Sequence, residues 1–398
     1  TKFLFYIFLF VYTGSIAQNV LVQEGVRRIH SHIDTNYIYP EWWGANASDT
    51  ASDRAAIQSA IESAYLKNKD VWLGCGSYKV SSFVYDATHG IKYGLRLRGN
   101  VRLVGHGYKS VIYSTVNSDS FNLIYVRDSS TENLIQDIHL RSDSCHLGAA
   151  IFISNACQNQ TVTRVKISGG MCYGIKLIGA SKVNINNCNI ECTSITNLDV
   201  AACIKLNEST FCTVERNTLF SNIIEDTIKT TEVSGVFLES NSDFNQIANN
   251  KIYNVHSGVY NYGCDRITIS GNNIYDISGP SIYLAGSSSK VKVFNNTVKN
   301  CYTNYGTGDL NVKGIRVESC DQIIIESNRI DSIMNVDTMD ITLEGAIYVN
   351  NSANMSIINN DIYDVYSNGI YINNSNYMNV SGNSIVGLGK ASHLQCFG

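Results

Sequence analysis

Two columns of side chains in this 398-residue chain have the makeup of a binding or catalytic face. A recurring tetrapeptide, small-Ile-x-Leu, carries Lys176, Lys205, Phe237, Tyr260, Tyr283, Arg316, Tyr348 and Tyr371 at its third position. Two residues further on stand Ile178, Asn207, Glu239, Tyr262, Ala285, Glu318, Asn350 and Asn373. Aromatic rings flanked by cations suit sugar rings and carboxylates. The plainer alternative is a cross-strand ladder, because Tyr and Phe favour strands and stack on their neighbours.

The spacing limits the chemistry. Glu239 and Glu318 lie three repeats apart, about 14 Å at strand spacing. Paired glycosidase carboxylates need about 5.5 Å for retention or about 6.5–9.5 Å for inversion. A hydrolase would therefore combine Glu239 with a loop acid (Glu225, Asp226 or Glu232) or use Asp276, with Asp309, Asp337, Asp340 and Glu344 as further acids. A β-eliminating lyase needs less: one base for the proton beside a uronate carboxylate, and a cation to neutralise that carboxylate. His256, Tyr260, Tyr262 and Tyr283 are the candidate bases or acids, and Lys205 and Arg316 the candidate cations. His256 has the plainer reading of a solvated turn residue. The catalytic set is thus His256, Tyr260, Asp276, Tyr283 and Glu239. The substrate-binding set is Lys205, Phe237, Tyr262, Arg316, Glu318 and Tyr348.

These columns exist because the chain repeats itself from about residue 160. A second unit, Ile/Val-x-x-Asn-x-Ile/Val, places Asn217, Asn250, Asn272, Asn296, Asn328, Asn360 and Asn383 at intervals of 22 to 33 residues, with Cys188 in the Asn place of an earlier copy. Two short alternating strands per repeat cannot bury an apolar face alone, whereas stacked parallel rungs can. The Asn residues then form a column at one corner, each amide bonding the backbone of an adjoining rung. A β-propeller blade would need about 40 residues.

The repeat also localises length variation. From small-Ile-x-Leu to the next Asn the count is 14 or 15 residues. From Asn onward it is 8 or 9 (Asn250 to Gly258, Asn272 to Ser281, Asn360 to Gly369) or 18 (Asn217 to Gly235, Asn296 to Gly314). Insertions near 191–201, 221–234, 300–313 and 332–344 therefore share one edge, and the two short-turned rungs between them imply a notch.

Composition agrees with many short strands: 44 asparagines, only two prolines, 44% hydrophobic and 16% charged residues. Asn tolerates the left-handed turns such a chain needs. A net charge of −4 without a basic stripe excludes a nucleic-acid protein. Residues 1–17 read as a signal peptide, with the apolar run Phe3 to Tyr12 and Ser15 and Ala17 at the −3 and −1 places, so a secreted, extracellular or periplasmic protein is expected. No later stretch is long enough to span a membrane. Twelve cysteines in an exported chain imply disulfides. None forms Cys-x-x-Cys, so no metal site is expected; no cofactor is implied, with calcium left open. The ladder reaches Asn383 with no evident polar cap, which leaves a homo-oligomer open.

Before the repeats, Ser52 or Asp53 caps a short helix whose Ile57, Ala60, Ile61 and Ala64 share one face and would plug the solenoid. Residues 18–70 form this arm and helix, and 71–398 the solenoid. Trp43-Gly-Ala45, Asp53, Ala56-Ile-Gln58, Ala60-Ile61 and Leu73-Gly-Cys-Gly-Ser-Tyr78 resemble the cap and first strand pair of the pectate-lyase-like superfamily. Asn46-Ala47-Ser48 stands where that pattern has Gly-Asp-Gly. The resemblance implies an all-β fold: a single-stranded right-handed parallel β-helix with a short N-terminal capping helix. Members include polysaccharide lyases, glycosidases, epimerases and tailspike-type proteins. No catalytic motif of theirs matches; Gly105-His106-Gly107 echoes a hydrolase tripeptide but lacks the accompanying aspartates, so His106 reads as structural. The implied function is a secreted polysaccharide lyase or glycoside hydrolase acting on an acidic glycan in a surface groove. The alternative is a non-catalytic glycan-binding or adhesive β-helix, or a phage spike.

Overall fold

The computed structural model describes residues 36–118, 120–127, 130–192, 201–222, 233–302, 312–334, 345–365 and 368–387. The expected signal peptide lies outside them. So do the loop acids Glu225, Asp226, Glu232, Asp309, Asp337, Asp340 and Glu344.

Each repeat contributes three short parallel strands, one to each of three stacks. The first sheet holds 13 strands in sequence order, from Tyr37–Ile38 to Asn376–Ser381. The second sheet stacks the strands that follow the Asn corner, such as Thr218–Ser221 on Asn189–Cys192. The third stacks the small-Ile-x-Leu strands, such as Ser234–Glu239 on Ala202–Asn207. Inward positions alternate with outward ones, so register places like on like. Val214, Ile247, Ile269, Val293 and Ile325 line the first sheet's inner face, and Leu219, Ile252, Ile274 and Val298 the second's, all 0% exposed. Each such side chain contributes roughly 1.5–3 kcal/mol by leaving water.

The Asn corner is built from two consecutive residues. Arg216, Asn249, Gly271, Asn295, Ser327 and Asn359 adopt left-handed backbone, φ 53° to 64°, which suits Asn and Gly best. The next residue is the ladder Asn. Asn272 shows the pattern: its Oδ1 accepts from the Asn250 backbone N–H (2.9 Å) and Asn250 Nδ2 (3.0 Å). Its Nδ2 donates to Ile247 O and to Asn296 Oδ1, each at 2.9 Å. The same bonds run from Asn217 to Asn383, and the Cys188 backbone N–H donates to Asn217 Oδ1 at 2.9 Å. The corner column expected from the repeat is therefore a hydrogen-bonded file inside the solenoid.

One helix, Arg54–Lys67, closes the N-terminal end with Ile57, Ala60, Ile61 and Ala64 buried. Asp53 precedes it but makes no side-chain cap bond. Its carboxylate instead accepts from the backbone N–H groups of Asn46 and Lys79, both at 2.7 Å, tying the arm to the first strands.

The expectation of disulfides does not hold among the described residues. The ten cysteines whose side chains are described are free, nine of them buried. They act as small core side chains; Cys188 and Cys192, for example, turn their thiols toward backbone carbonyls.

His139 gives the fold a pH dependence. Its Nε2 lies 2.8 Å from Ser168 Oγ. Burial first, then Lys166 and Arg141, push its pKa down to about 4. Unfolded, the imidazole titrates near 6.5, so between about pH 6.5 and 4 only the unfolded chain takes up the proton. Stability should be full above that window and fall through it. A Tm-against-pH series should show a shallower acid decline for His139→Gln than for the wild type.

Candidate functional site

Backbone register settles the outward column. Phe152, Lys176, Lys205, Phe237, Tyr260, Tyr283, Arg316, Tyr348 and Tyr371 are successive partners on the third sheet. Their neighbours along each strand, such as Val236, Leu238, Val259 and Leu284, point into the core at 0% exposure. The tyrosines therefore face out.

Stacking determines what they can offer. Phe237 and Tyr260 lie 5.0 Å apart at 22°, Tyr260 and Tyr283 4.8 Å apart at 8°, Tyr348 and Tyr371 5.4 Å apart at 7°. Lys205 covers Phe237 from the other side at 5.1 Å, and the Arg316 guanidinium sits 4.6 Å over Tyr283. Ring faces are spent on one another, so this column presents edges and hydroxyls rather than faces. Phe237 is accordingly 5% exposed and Tyr348 9%.

Tyr262 is the exception. It lies edge-on to Tyr260 (6.3 Å, 74°), and a Cβ at Gly286 would meet its Cδ2 and Cε2 at 3.0 Å. One face thus rests on glycine backbone, and the residue is 52% exposed. Gly286 (φ 68°) is needed twice here, for its left-handed turn and for the space it leaves to that ring.

Both predicted carboxylates are already engaged. Glu239 pairs with Lys205 at 2.9 Å and accepts from Asn207 Nδ2 at 2.7 Å. Glu318 accepts from Arg316 Nη2 at 2.8 Å and from the Tyr283 hydroxyl at 2.7 Å. Burial, then the bond to Glu318, raises the Tyr283 pKa far above the phenol range. Tyr283 therefore keeps its proton and is a donor, not a resting base. Burial raises Tyr348 as well.

His256 and Asp276 stand apart from this cluster. His256 lies before the strand Ser257–Tyr262, with its imidazole against Gly279: a Cβ there would meet Cε1 and Nε2 at 2.6 Å. Three strand residues, Ser257 to Val259, separate it from Tyr260, roughly 13 Å along the backbone. Asp276 occupies a left-handed position (φ 54°) on the second sheet and accepts from Asn300 Nδ2 at 3.3 Å. Its equivalents Asn254, Asn300, Ser332 and Asp364 share that backbone, so the place selects for a turn residue. Among the described residues, no three His, Cys, Asp or Glu side chains gather as a metal site, and no helix is long and apolar enough to cross a membrane.

A second outward ladder escaped the sequence reading. On the second sheet Phe220, Tyr253, Tyr275 and Lys299 are register partners. The three rings stack at 5.2 Å, within 6° of parallel. Each member stands three residues after the corner Asn of its repeat, a spacing as regular as that of the other column.

The variable connections are anchored where the counting places them. Segments 193–200, 223–232, 303–311 and 335–344 lie outside the described residues. Each leaves a second-sheet strand (Asn189–Cys192, Thr218–Ser221, Thr297–Tyr302, Arg329–Met334) and re-enters the third sheet (Ala202–Asn207, Ser234–Glu239, Lys313–Glu318, Gly345–Asn350). The two ladders thus flank one edge, crossed between Tyr253 and Ser257 and between Ile277 and Pro280 by short turns.

Comparison with known proteins bears on the fold. The family described as "Right handed beta helix region" matches residues 193–336. No curated protein matches in sequence. Among solved structures, the A-module of the Azotobacter vinelandii mannuronan C-5 epimerase AlgE4 superposes with TM-score 0.63 at 17% identity, over 90% of this chain and 100% of that one. The Streptococcus pneumoniae surface protein and adhesin PfbA gives 0.60 at 15%, over 88% and 98%. A mutant tailspike of the E. coli bacteriophage HK620, in complex with a pentasaccharide, gives 0.63 at 13%, over 87% and 66%. At these identities the likeness is one of fold. With rungs, corner ladder and capping helix in place, the chain is a right-handed parallel β-helix protein, as its resemblance to the pectate-lyase-like superfamily implied.

Proposed function

We propose that this is an exported protein that binds an acidic polysaccharide across the third sheet and the adjoining edge. The observation that carries the reading is Tyr262: a half-exposed ring seated on glycine backbone, beside the Tyr283–Glu318–Arg316 and Lys205–Glu239 clusters. A flat ring with one open face suits the C–H face of a sugar, and pre-ordered hydroxyl, amide and cation groups suit its carboxylates and hydroxyls. The solved structures of similar fold include a mannuronan epimerase, an adhesin and a tailspike with bound oligosaccharide, which supports a glycan as ligand. The apolar leader at residues 1–17 supports export.

Binding without turnover is favoured over cleavage. Each carboxylate of the face is neutralised by its own cation, and Tyr283 holds its proton, so the cluster contains no ready base. A panel of uronate-containing and neutral polysaccharides tests this by affinity, by absorbance of unsaturated uronate and by reducing ends. We expect retention of uronate polymers with neither product signal. Tyr262→Ala should weaken retention about tenfold, the loss of one stacking contact. No retention across the panel overturns the reading; release of either product replaces it with a lyase or a hydrolase.

A further inference from the structure

The second sheet carries a pair of cations drawn to one ring. Lys251 Nζ lies 5.1 Å from the Tyr253 ring centre and 5.6 Å from that of Tyr275. Lys299 Nζ lies 5.5 Å from the same Tyr275 ring. Both lysines are exposed. Among the described residues no carboxylate comes within ion-pair distance of either. Asp331, the register partner of Lys299, is taken by Arg329 at 3.5 Å and by the Ser332 hydroxyl at 2.9 Å. Asp276, next in sequence to Tyr275, is turned to Asn300. The contrast with Lys205 and Arg316, each closed onto a glutamate, is plain.

Two ammonium groups drawn to one ring, with no counter-charge among the described residues, repel each other and attract anions. Aromatic edges between them give an acidic sugar a surface to lie along. The ladder borders the edge at which the strands of Tyr260 and Tyr283 begin, and only short turns intervene at the rungs of Tyr253 and Tyr275. We infer that the Lys251–Tyr253–Tyr275–Lys299 ladder is a second binding track, taking the carboxylates of an acidic polysaccharide that passes over the edge from the third sheet. This rests on the glycan-binding reading above and adds to it where the polymer's charge is met.

The test uses the intact protein and polygalacturonate as the probe, with Kd measured from low to high salt. The Lys251→Gln/Lys299→Gln variant should bind about tenfold more weakly at low salt and lose much of the salt dependence, because two screened contacts are gone. Its affinity for neutral oligosaccharides, if the wild type binds them, should be unchanged. Both side chains are exposed, so its Tm should match the wild type's and confirm that it folds. Unchanged affinity and salt dependence, with Tyr262→Ala still impaired, overturns the second track and leaves the third-sheet reading standing. A wild type that binds no uronate polymer overturns both.

Discussion

Replacing Asn272 with alanine should cost about 4 kcal/mol of unfolding free energy, read as a lower denaturant midpoint at similar m-value. The side chain is 1% exposed and makes four hydrogen bonds at 2.9–3.0 Å. Alanine strands the Asn250 backbone N–H and Ile247 O on the preceding rung, and takes one partner each from Asn250 Nδ2, which keeps Val214 O, and from Asn296 Oδ1, which keeps the Asn272 backbone N–H. Each buried group left without a partner costs about 1–3 kcal/mol, moderated where neighbours relax or water enters. The Asn272→Asp variant should fare no better, since a carboxylate cannot donate to Ile247 O. Asn383→Ala, at the half-buried last rung, should cost much less. Equal losses at the two positions would contradict a ladder that is stabilised by burial.

Gly148→Ala should be the most damaging substitution of a single methyl group. Gly148 lies on the strand His139–Ser154 where it crosses Phe121, and a Cβ there would stand 1.7 Å from Phe121 O and 2.4 Å from its carbonyl carbon. Backbone cannot rotate away as a side chain can, and the next residue is held by the bond from Ala149 N to Asn122 Oδ1 at 3.0 Å. We expect a loss of about 3 kcal/mol or more, seen as a fall in Tm or as failure to accumulate folded protein. Gly99→Ala is the control: its Cβ would meet Ser130 at 3.7 Å, ordinary contact. Similar Tm values for the two variants would show that the crossing can yield.

What the sequence revealed, and what it hid, divides along one physical line. Rung period, corner Asn, plugging face of the helix and outward direction of Tyr260 and Tyr283 all follow from backbone geometry, and geometry repeats. Side-chain partnership does not. Nothing in the spacing says that Tyr260 gives its ring faces to Phe237 and Tyr283, that Glu318 is closed by Tyr283 and Arg316, or that Tyr262 keeps a face outward. Asp276 drew notice as an acid, although its left-handed backbone accounts for a turn residue there. His256 stands before the strand that carries Tyr260, with its imidazole against Gly279. Cysteine number pointed to disulfides, but position matters more: nine of the ten cysteines whose side chains are described are buried. The Phe220–Tyr253–Tyr275 stack is as periodic as its counterpart, and its signal lay in the residue three places after each corner Asn.

The Asn file has a further effect, on how such a chain can change length. The amides bond the rung before and the rung after, and each Asn rung offers the same donors and acceptors at the same corner. Excising or duplicating a whole repeat, such as residues 250–271, rejoins like with like and leaves no bond unmatched. Any ladder on the outer faces would then shorten or grow by one strand spacing, about 4.8 Å, so that the reach of the surface is set in whole steps by gene duplication rather than residue by residue.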